Sequence, residues 1–202
     1  MMKSFLNLVE VVLTTFQDKE RIFMVMKEET MSTERIYNGR VLNLRIDTVE
    51  LPDMKYGKRE IIEHNGGVAI IALDDQKNIL MVKQFRKAIE DVLLELPAGK
   101  LEAKEDPLEC AKRELEEETG YKTENIELVT SFYTSPGFSN EKLYIYLAKD
   151  LKKGTVNLDE GEFLESYKYK IEDVYEMVKE NKIEDGKTIL GLMMVKDEIL
   201  GK

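Results

Sequence analysis

The sequence predicts a mixed α/β (α+β) architecture, with a small antiparallel β unit ahead of a larger domain in which strands and helices interleave. Three observations carry this expectation. Leu42, Leu44 and Ile46 alternate with Asn43, Arg45 and Asp47, the period of a strand with one wet face. Val68-Ala69-Ile70-Ile71-Ala72-Leu73 is apolar on both faces, which suits a strand covered from both sides. A capped helix over residues 106–120 and two amphipathic segments near the C-terminus supply the covering layers.

Taken in order, residues 5–13 are apolar but short, and Glu10 interrupts them. They fall below the roughly 20 residues of a membrane span and lack a small-residue cleavage site, so a short surface or docking helix is expected. Met24, Met26 and Met31 leave open that this stretch is an upstream start. The strand-like alternation from Ile36, a turn at Pro52-Asp53 and Gly57, and a second strand over residues 59–63 make a two-stranded unit. Domains are therefore expected at residues 1–30 (an extension of uncertain role), 31–63 (the small β domain) and 64–202 (the main domain). Within the last, a turn at residues 74–78 returns a partner strand over 79–85. Further strands are expected at 126–133, 143–148 and 164–169, and helices at 171–180 and 189–199, the latter presenting Ile189, Leu192, Met193 and Ile199 on one face.

The 202-residue chain is 43% hydrophobic and carries a net charge of −10. Such an acidic surface repels nucleic-acid backbones and anionic lipid, so neither is an expected partner. One cysteine, Cys110, and one histidine, His64, exclude an internal disulfide, a zinc cluster and a two-histidine mechanism. A soluble, cytoplasmic protein is expected, with carboxylates carrying its chemistry.

The helix over residues 106–120 concentrates those carboxylates. Asp106 can cap, Pro107 suits the first position, Glu109 completes a capping box, and Gly120 can end the helix in a left-handed conformation. Leu108, Ala111 and Leu115 form an apolar stripe, while Glu114, Glu117 and Glu118 share another face. That face reads either as a solvated acidic surface or as a cation site. The carboxylates crowd toward the C-terminal half, where the helix dipole disfavours them. A divalent ion with hard oxygen ligands would turn their repulsion into coordination. Arg113 beside them can anchor Glu105.

Gly99, five residues, Glu105, seven residues, then Arg113-Glu114-Leu115-Glu116-Glu117-Glu118-Thr119-Gly120 resembles the Nudix box in every charged and glycine position. Only Tyr121 departs, standing where the pattern prefers an aliphatic residue. The likeness extends over about residues 37–192 and narrows to the ADP-ribose pyrophosphatase branch. It is carried there by residues 94–102, by Ser135-Pro136-Gly137-Phe138 with Pro136 16 residues after Gly120, and by the neighbourhoods of Arg59, Arg86 and residues 159–162.

The resemblance implies an α/β/α sandwich with a mixed sheet, and an accessory β domain that crosses to a partner subunit in a homodimer. It implies Mg2+-dependent hydrolysis of ADP-ribose to AMP and ribose 5-phosphate, with Mn2+ an alternative ion. Another nucleotide sugar such as a GDP-sugar, or a non-catalytic nucleotide-sensing module, remains the alternative reading. Glu114, Glu118 and the Ala98 carbonyl are implied as metal ligands, with Glu117 in or beside that shell and counted among the catalytic carboxylates. Glu160 is implied as the base and Glu162 as a further ligand, a pair that a two-residue slip would exchange. Arg59 and Arg86 are candidates for phosphate or ribose oxygens. Glu141 is a candidate near the terminal ribose, and Phe138 and Tyr37 are aromatic candidates near the substrate. Glu105 and Arg113 are expected as scaffold, Glu102 as a weak metal or substrate candidate, His64 as structural, and Cys110 as packing.

Overall fold

A computed structural model describes residues 26–158, 160–161 and 163–201. The expected N-terminal helix, Asp159 and Glu162 lie outside the described residues. Contacts divide the chain into two compact units, one ending at Glu63 and the other starting at His64.

The first unit is a three-stranded antiparallel sheet in the order β1-β2-β3: β1 (Glu29–Asn38), β2 (Asn43–Glu50) and β3 (Tyr56–Glu63). The sequence predicted two strands, and β1 is the one its pattern conceals. It is exposed along its whole length, and register shifts at Thr30/Ser32 and Arg35/Tyr37 break the two-residue period that would reveal it. Gly39 closes the first turn, its N–H donating to the Leu42 carbonyl at 3.0 Å, and a Cβ there would collide with the Tyr37 ring. Polar contacts supply much of the sheet's cross-links. Asp47, 3% exposed, accepts the Thr33 hydroxyl at 2.8 Å and pairs with Arg45 at 3.2 Å, while Arg35 and Arg45 both pair with Glu63.

The second unit has the α/β/α layering. Its central mixed sheet runs β7-β4-β10-β9, from β7 (Ala98–Lys100), β4 (Gly67–Ala72), β10 (Lys142–Ala148) and β9 (Ile126–Tyr133). Only the β4–β10 pair is parallel within that sheet. A second, antiparallel sheet, β12-β5-β6, is built from β12 (Leu164–Lys170), β5 (Asn78–Arg86) and β6 (Asp91–Glu95). A short ribbon pairs β8 (Tyr121–Lys122) with β11 (Lys152–Lys153).

Every residue of β4 is buried, as its two-faced apolar run requires. Val68, Ile70 and Ala72 pack with Leu80 against Cys110, Ala111 and Leu115 of α1 (Pro107–Thr119). Ala69 and Ile71 pack with Ile145 and Met81 against Ile171 and Val174 of α2 (Ile171–Lys179) and Leu192 and Val195 of α3 (Gly186–Leu200). Fully burying a leucine such as Leu115 or Leu192 contributes roughly 1.5–3 kcal/mol, so these two layers hold the sandwich closed. Gly191 lets α3 approach the sheet, since a Cβ there would stand 3.2 Å from both Ile145 and Leu96.

Two helix expectations need correction. The last helix begins at Gly186 rather than Ile189, because Asp185 caps it by accepting the Thr188 N–H at 3.0 Å. Its buried stripe is Thr188, Gly191, Leu192, Val195 and Ile199, and Met193 faces outward at 49% exposure. In α1 the cap is as expected, with Asp106 accepting the N–H of Leu108 at 2.9 Å and of Glu109 at 3.4 Å. The Glu109 side chain instead turns along the helix to Lys112, 3.7 Å away.

Candidate active site

The site grows from the short turn that joins β6 to β7. Its backbone is held from two sides. The Pro97 carbonyl accepts the Ile70 N–H of β4 at 2.8 Å, and the Leu96 N–H donates to the Thr188 hydroxyl of α3 at 2.9 Å. The next N–H, that of Ala98, donates to Glu118 Oε2 at 2.9 Å, and Glu118 is only 2% exposed. A Cβ on Gly99 would occupy the space of the Glu114 carboxyl, so glycine makes the cradle into which that side chain folds. Glu114 and Glu118 thus both border the Ala98–Gly99 backbone, and Glu117, three residues along from Glu114, shares their helix face.

Arg113 organises the opposite flank. Its Nε and Nη2 grip Glu105 at 3.0 and 3.2 Å, and its Nη1 contacts Glu114 at 2.8 Å and Glu117 at 2.9 Å. Hydrogen bonding to Glu105, above all, raises the guanidinium pKa against the opposing effect of burial. The same bonds hold the Glu105 carboxyl below the ordinary range. Glu105 also accepts the Glu102 N–H at 2.9 Å, which fixes the loop before α1; Glu102 itself is exposed. Cys110 faces the core, where burial pushes its thiol up to about 12. It is packing and not a nucleophile.

As placed, no three His, Cys, Asp or Glu side chains among the described residues stand close enough to share one ion. Arg113 supplies the positive charge beside Glu114 and Glu117. The donor chemistry nonetheless fits a hard divalent cation: Glu114 and Glu118 border the Ala98–Gly99 backbone, whose glycine cradle accommodates the first, and Glu117 offers a third carboxylate on the same helix face. From Gly154 to Asn157 the chain runs beside the end of this helix. The N–H of Asn157 donates to the Glu117 carbonyl at 3.0 Å, and that of Gly154 to the Gly120 carbonyl at 2.8 Å. Glu160 follows three residues later and is exposed.

The expected substrate residues are distributed as follows. Arg86, at the end of β5, makes a two-pronged pair with Glu95, 2.7 Å at each prong. Arg59 lies on β3 in the first unit, exposed and paired with Glu28. Tyr37 is 57% exposed in that same sheet. In the second unit the residues around Pro136 fold into a tight turn, with the Phe138 and Ser139 N–H groups both donating to the Ser135 carbonyl. Phe138 is exposed at the turn's surface. Glu141 braces the turn, accepting the Thr134 hydroxyl at 2.7 Å and lying 3.3 Å from His64 Nδ1. His64 accepts the Gly66 N–H at 3.0 Å on that nitrogen, and its own backbone N–H donates to Asn140 at 2.8 Å. Tyr121, the departure from the pattern, packs against the α1-side core and carries the Lys168 ammonium 4.7 Å above its ring.

Glu95, Asp185, Lys187 and Thr188 are polar residues to which the sequence assigned no role. Glu95 is 1% exposed and pairs with Lys187 as well as Arg86. Burial pushes its carboxyl up, but the Arg86 hydrogen bonds and the Lys187 charge outweigh that and hold it below the ordinary range. The available signals were a glutamate between two core leucines and the Asp185–Thr188 capping spacing.

The sequence model of the NUDIX domain matches residues 63–190. The chain belongs to the Nudix family. The carboxylate face of α1 and the Gly99 cradle are therefore the Nudix box of this protein, and the chain is a Nudix hydrolase. It is 45% identical over 165 residues to the ADP-ribose pyrophosphatase of Bacillus subtilis, covering 81% of this chain and 89% of that protein. It is equally 45% identical over 170 residues to the methanol dehydrogenase activator of Bacillus methanolicus, covering 83% and 92%. A crystal structure titled as an ADP compounds hydrolase superposes with a TM-score of 0.77 at 19% identity, covering 87% of this chain and 96% of that one, which speaks for the shared Nudix fold.

Proposed function

We propose that this Nudix protein hydrolyses the pyrophosphate bond of ADP-ribose, releasing AMP and ribose 5-phosphate. The observation that carries the chemistry is the pair of carboxylates from α1, Glu114 and Glu118, that borders the Ala98–Gly99 backbone. The likeness to an ADP-ribose pyrophosphatase over most of both chains supports the substrate. Residues holding the ion in this reading are Glu114, Glu117, Glu118, Glu162 and the Ala98 carbonyl. Mg2+, or Mn2+ in its place, would supply there the positive charge that offsets what develops on the pyrophosphate oxygens.

The chain's own groups do the rest. Glu160 takes a proton from the attacking water, a role its exposure and its glycine neighbour Gly161 suit. The base accepts one proton as the new P–O bond forms and the bridging P–O bond breaks. Arg86 and Arg59 offer planar, charged donors to phosphate or ribose oxygens. Glu141 borders the terminal ribose, and Phe138 offers an aromatic contact to the substrate. Glu105 and Arg113 keep the loop and helix in register. In this reading the protein works as a cytoplasmic homodimer, with residues 31–63 contributing to the partner's adenosine pocket. Among the described residues no helix is long and apolar enough to cross a membrane.

The test is turnover of a panel of nucleotide sugars at fixed Mg2+, with products separated by chromatography. ADP-ribose as the fastest substrate, with AMP as product, supports the reading. A GDP-sugar turned over faster reassigns the substrate within the same chemistry.

A further inference from the structure

Glu95 ends β6 with 1% of its surface exposed, and two cations reach it from different elements. Arg86 donates Nε to Oε1 and Nη2 to Oε2, each at 2.7 Å. Lys187, in the first turn of α3, donates to the same Oε2, and its ammonium lies 3.0 Å from Asp185 Oδ2. Asp185 is itself fixed, because it caps α3 through the Thr188 N–H at 3.0 Å. Thr188 in turn holds the Leu96 N–H at 2.9 Å. One helix turn therefore grips both the side chain at position 95 and the backbone at 96, two residues before the Ala98 N–H that catches Glu118.

The sharing of Oε2 has an electrostatic consequence. A buried carboxylate with a single cation forms a closed pair that satisfies its partner's charge. With Lys187 on the same oxygen, the Glu95 charge is divided between two donors, and less of it is spent on Arg86. Arg86 has both Nε and Nη2 committed to Glu95, while its Nη1 has no hydrogen bond among the described residues. The guanidinium is also near enough to Glu118 to feel that charge.

We propose that Lys187 is a positioning residue: by occupying Glu95 Oε2 beside Nη2 of Arg86, it turns the Arg86 guanidinium and leaves its Nη1 edge for the substrate's phosphate oxygens. The inference rests on the reading of Arg86 as a phosphate contact.

A double-mutant cycle on the full-length protein tests it, with ADP-ribose as substrate at saturating Mg2+. Lys187→Met is expected to raise KM by about tenfold while kcat stays within about threefold, and Lys187→Arg to restore KM to within about threefold of wild type. In an Arg86→Gln background, Lys187→Met is expected to raise KM no further. Thermal unfolding accompanies each variant, and Lys187→Gln replaces Lys187→Met if the latter does not fold. An unchanged KM, a loss confined to kcat, or effects of the two substitutions that multiply independently would overturn the proposal. If Arg86→Gln alone leaves KM unchanged, the Arg86 reading falls and the proposal falls with it. A wild-type protein that turns over GDP-mannose but not ADP-ribose overturns only the substrate assignment, and the same cycle is then scored on GDP-mannose.

Discussion

Glu118 combines near-complete burial with a backbone hydrogen bond from Ala98, so glutamine can take its place in shape while losing the charge. Glu118→Gln is expected to lower kcat/KM by at least about 100-fold with the thermal midpoint nearly unchanged, as for a group whose role is electrostatic. A rate within about tenfold of wild type, roughly 1.4 kcal/mol, would remove Glu118 from the proposed metal site. In the loop that follows β11, Glu160→Gln or Glu162→Gln should cost about 10²–10⁴-fold in kcat, the usual contribution of a general base. If neither loses more than about tenfold, the base lies elsewhere. These residues were legible in the sequence because a single helix carries Glu114, Glu117 and Glu118, and helical spacing alone puts them together. Glu95 and Lys187 were not legible. They stand 92 positions apart, and only the seating of the first turn of α3 against the chain at Leu96, through Thr188, brings them into one ion pair.

Among the elements, α1 depends on its ends. Asp106→Ala removes the acceptor for two N–H groups and is expected to destabilise the protein by about 1 kcal/mol, read from chemical denaturation. The turn between β4 and β5 has a comparable keystone in Asp74. Burial pushes its carboxyl up, but the hydrogen bonds from Asn78, Lys168 and the Gln76 N–H outweigh that and lower it to about 2. A carboxyl lowered on folding stabilises fully above its unfolded value and loses that contribution as pH falls through its folded value. The thermal midpoint should therefore drop between about pH 4 and pH 2, and drop less in Asp74→Asn; equal slopes in the two proteins would contradict this. Strands β4, β5 and β10 and the helix α1 could be read from the sequence, since each has an unbroken period or a full set of caps. Strand β1 and the start of α3 could not. Two bulges scramble the first, and Gly186-Lys187-Thr188 resembles a turn until Asp185 is seen capping it.

For the molecule as a whole, the layered second unit followed from sequence because its strands alternate with helices, whereas the three-stranded first unit was only partly visible. Its sheet buries little: Val49 is the one buried apolar residue among its described residues, and Met31, Ile36, Tyr37 and Tyr56 stand exposed. A sheet with so small a core needs another surface to be stable. Light scattering should accordingly find a homodimer, and a fully active monomer at assay concentration would refute the proposed exchange of residues 31–63 between subunits.

The guanidinium that touches Glu105, Glu114 and Glu117 acts as an internal counter-ion for the acidic helix face. Three crowded carboxylates would otherwise repel one another whenever no cation is present, and folding would then wait on metal. With Arg113 in place, the proposed metal site can form before any ion arrives, and the ion can exchange without unfolding the protein. Prolonged dialysis against EDTA should therefore abolish turnover while shifting the melting temperature by only about 2–4 °C, equivalent to about 1 kcal/mol in a domain of this size. In Arg113→Gln the same dialysis should cost markedly more, making the stability of the fold depend on the metal supply.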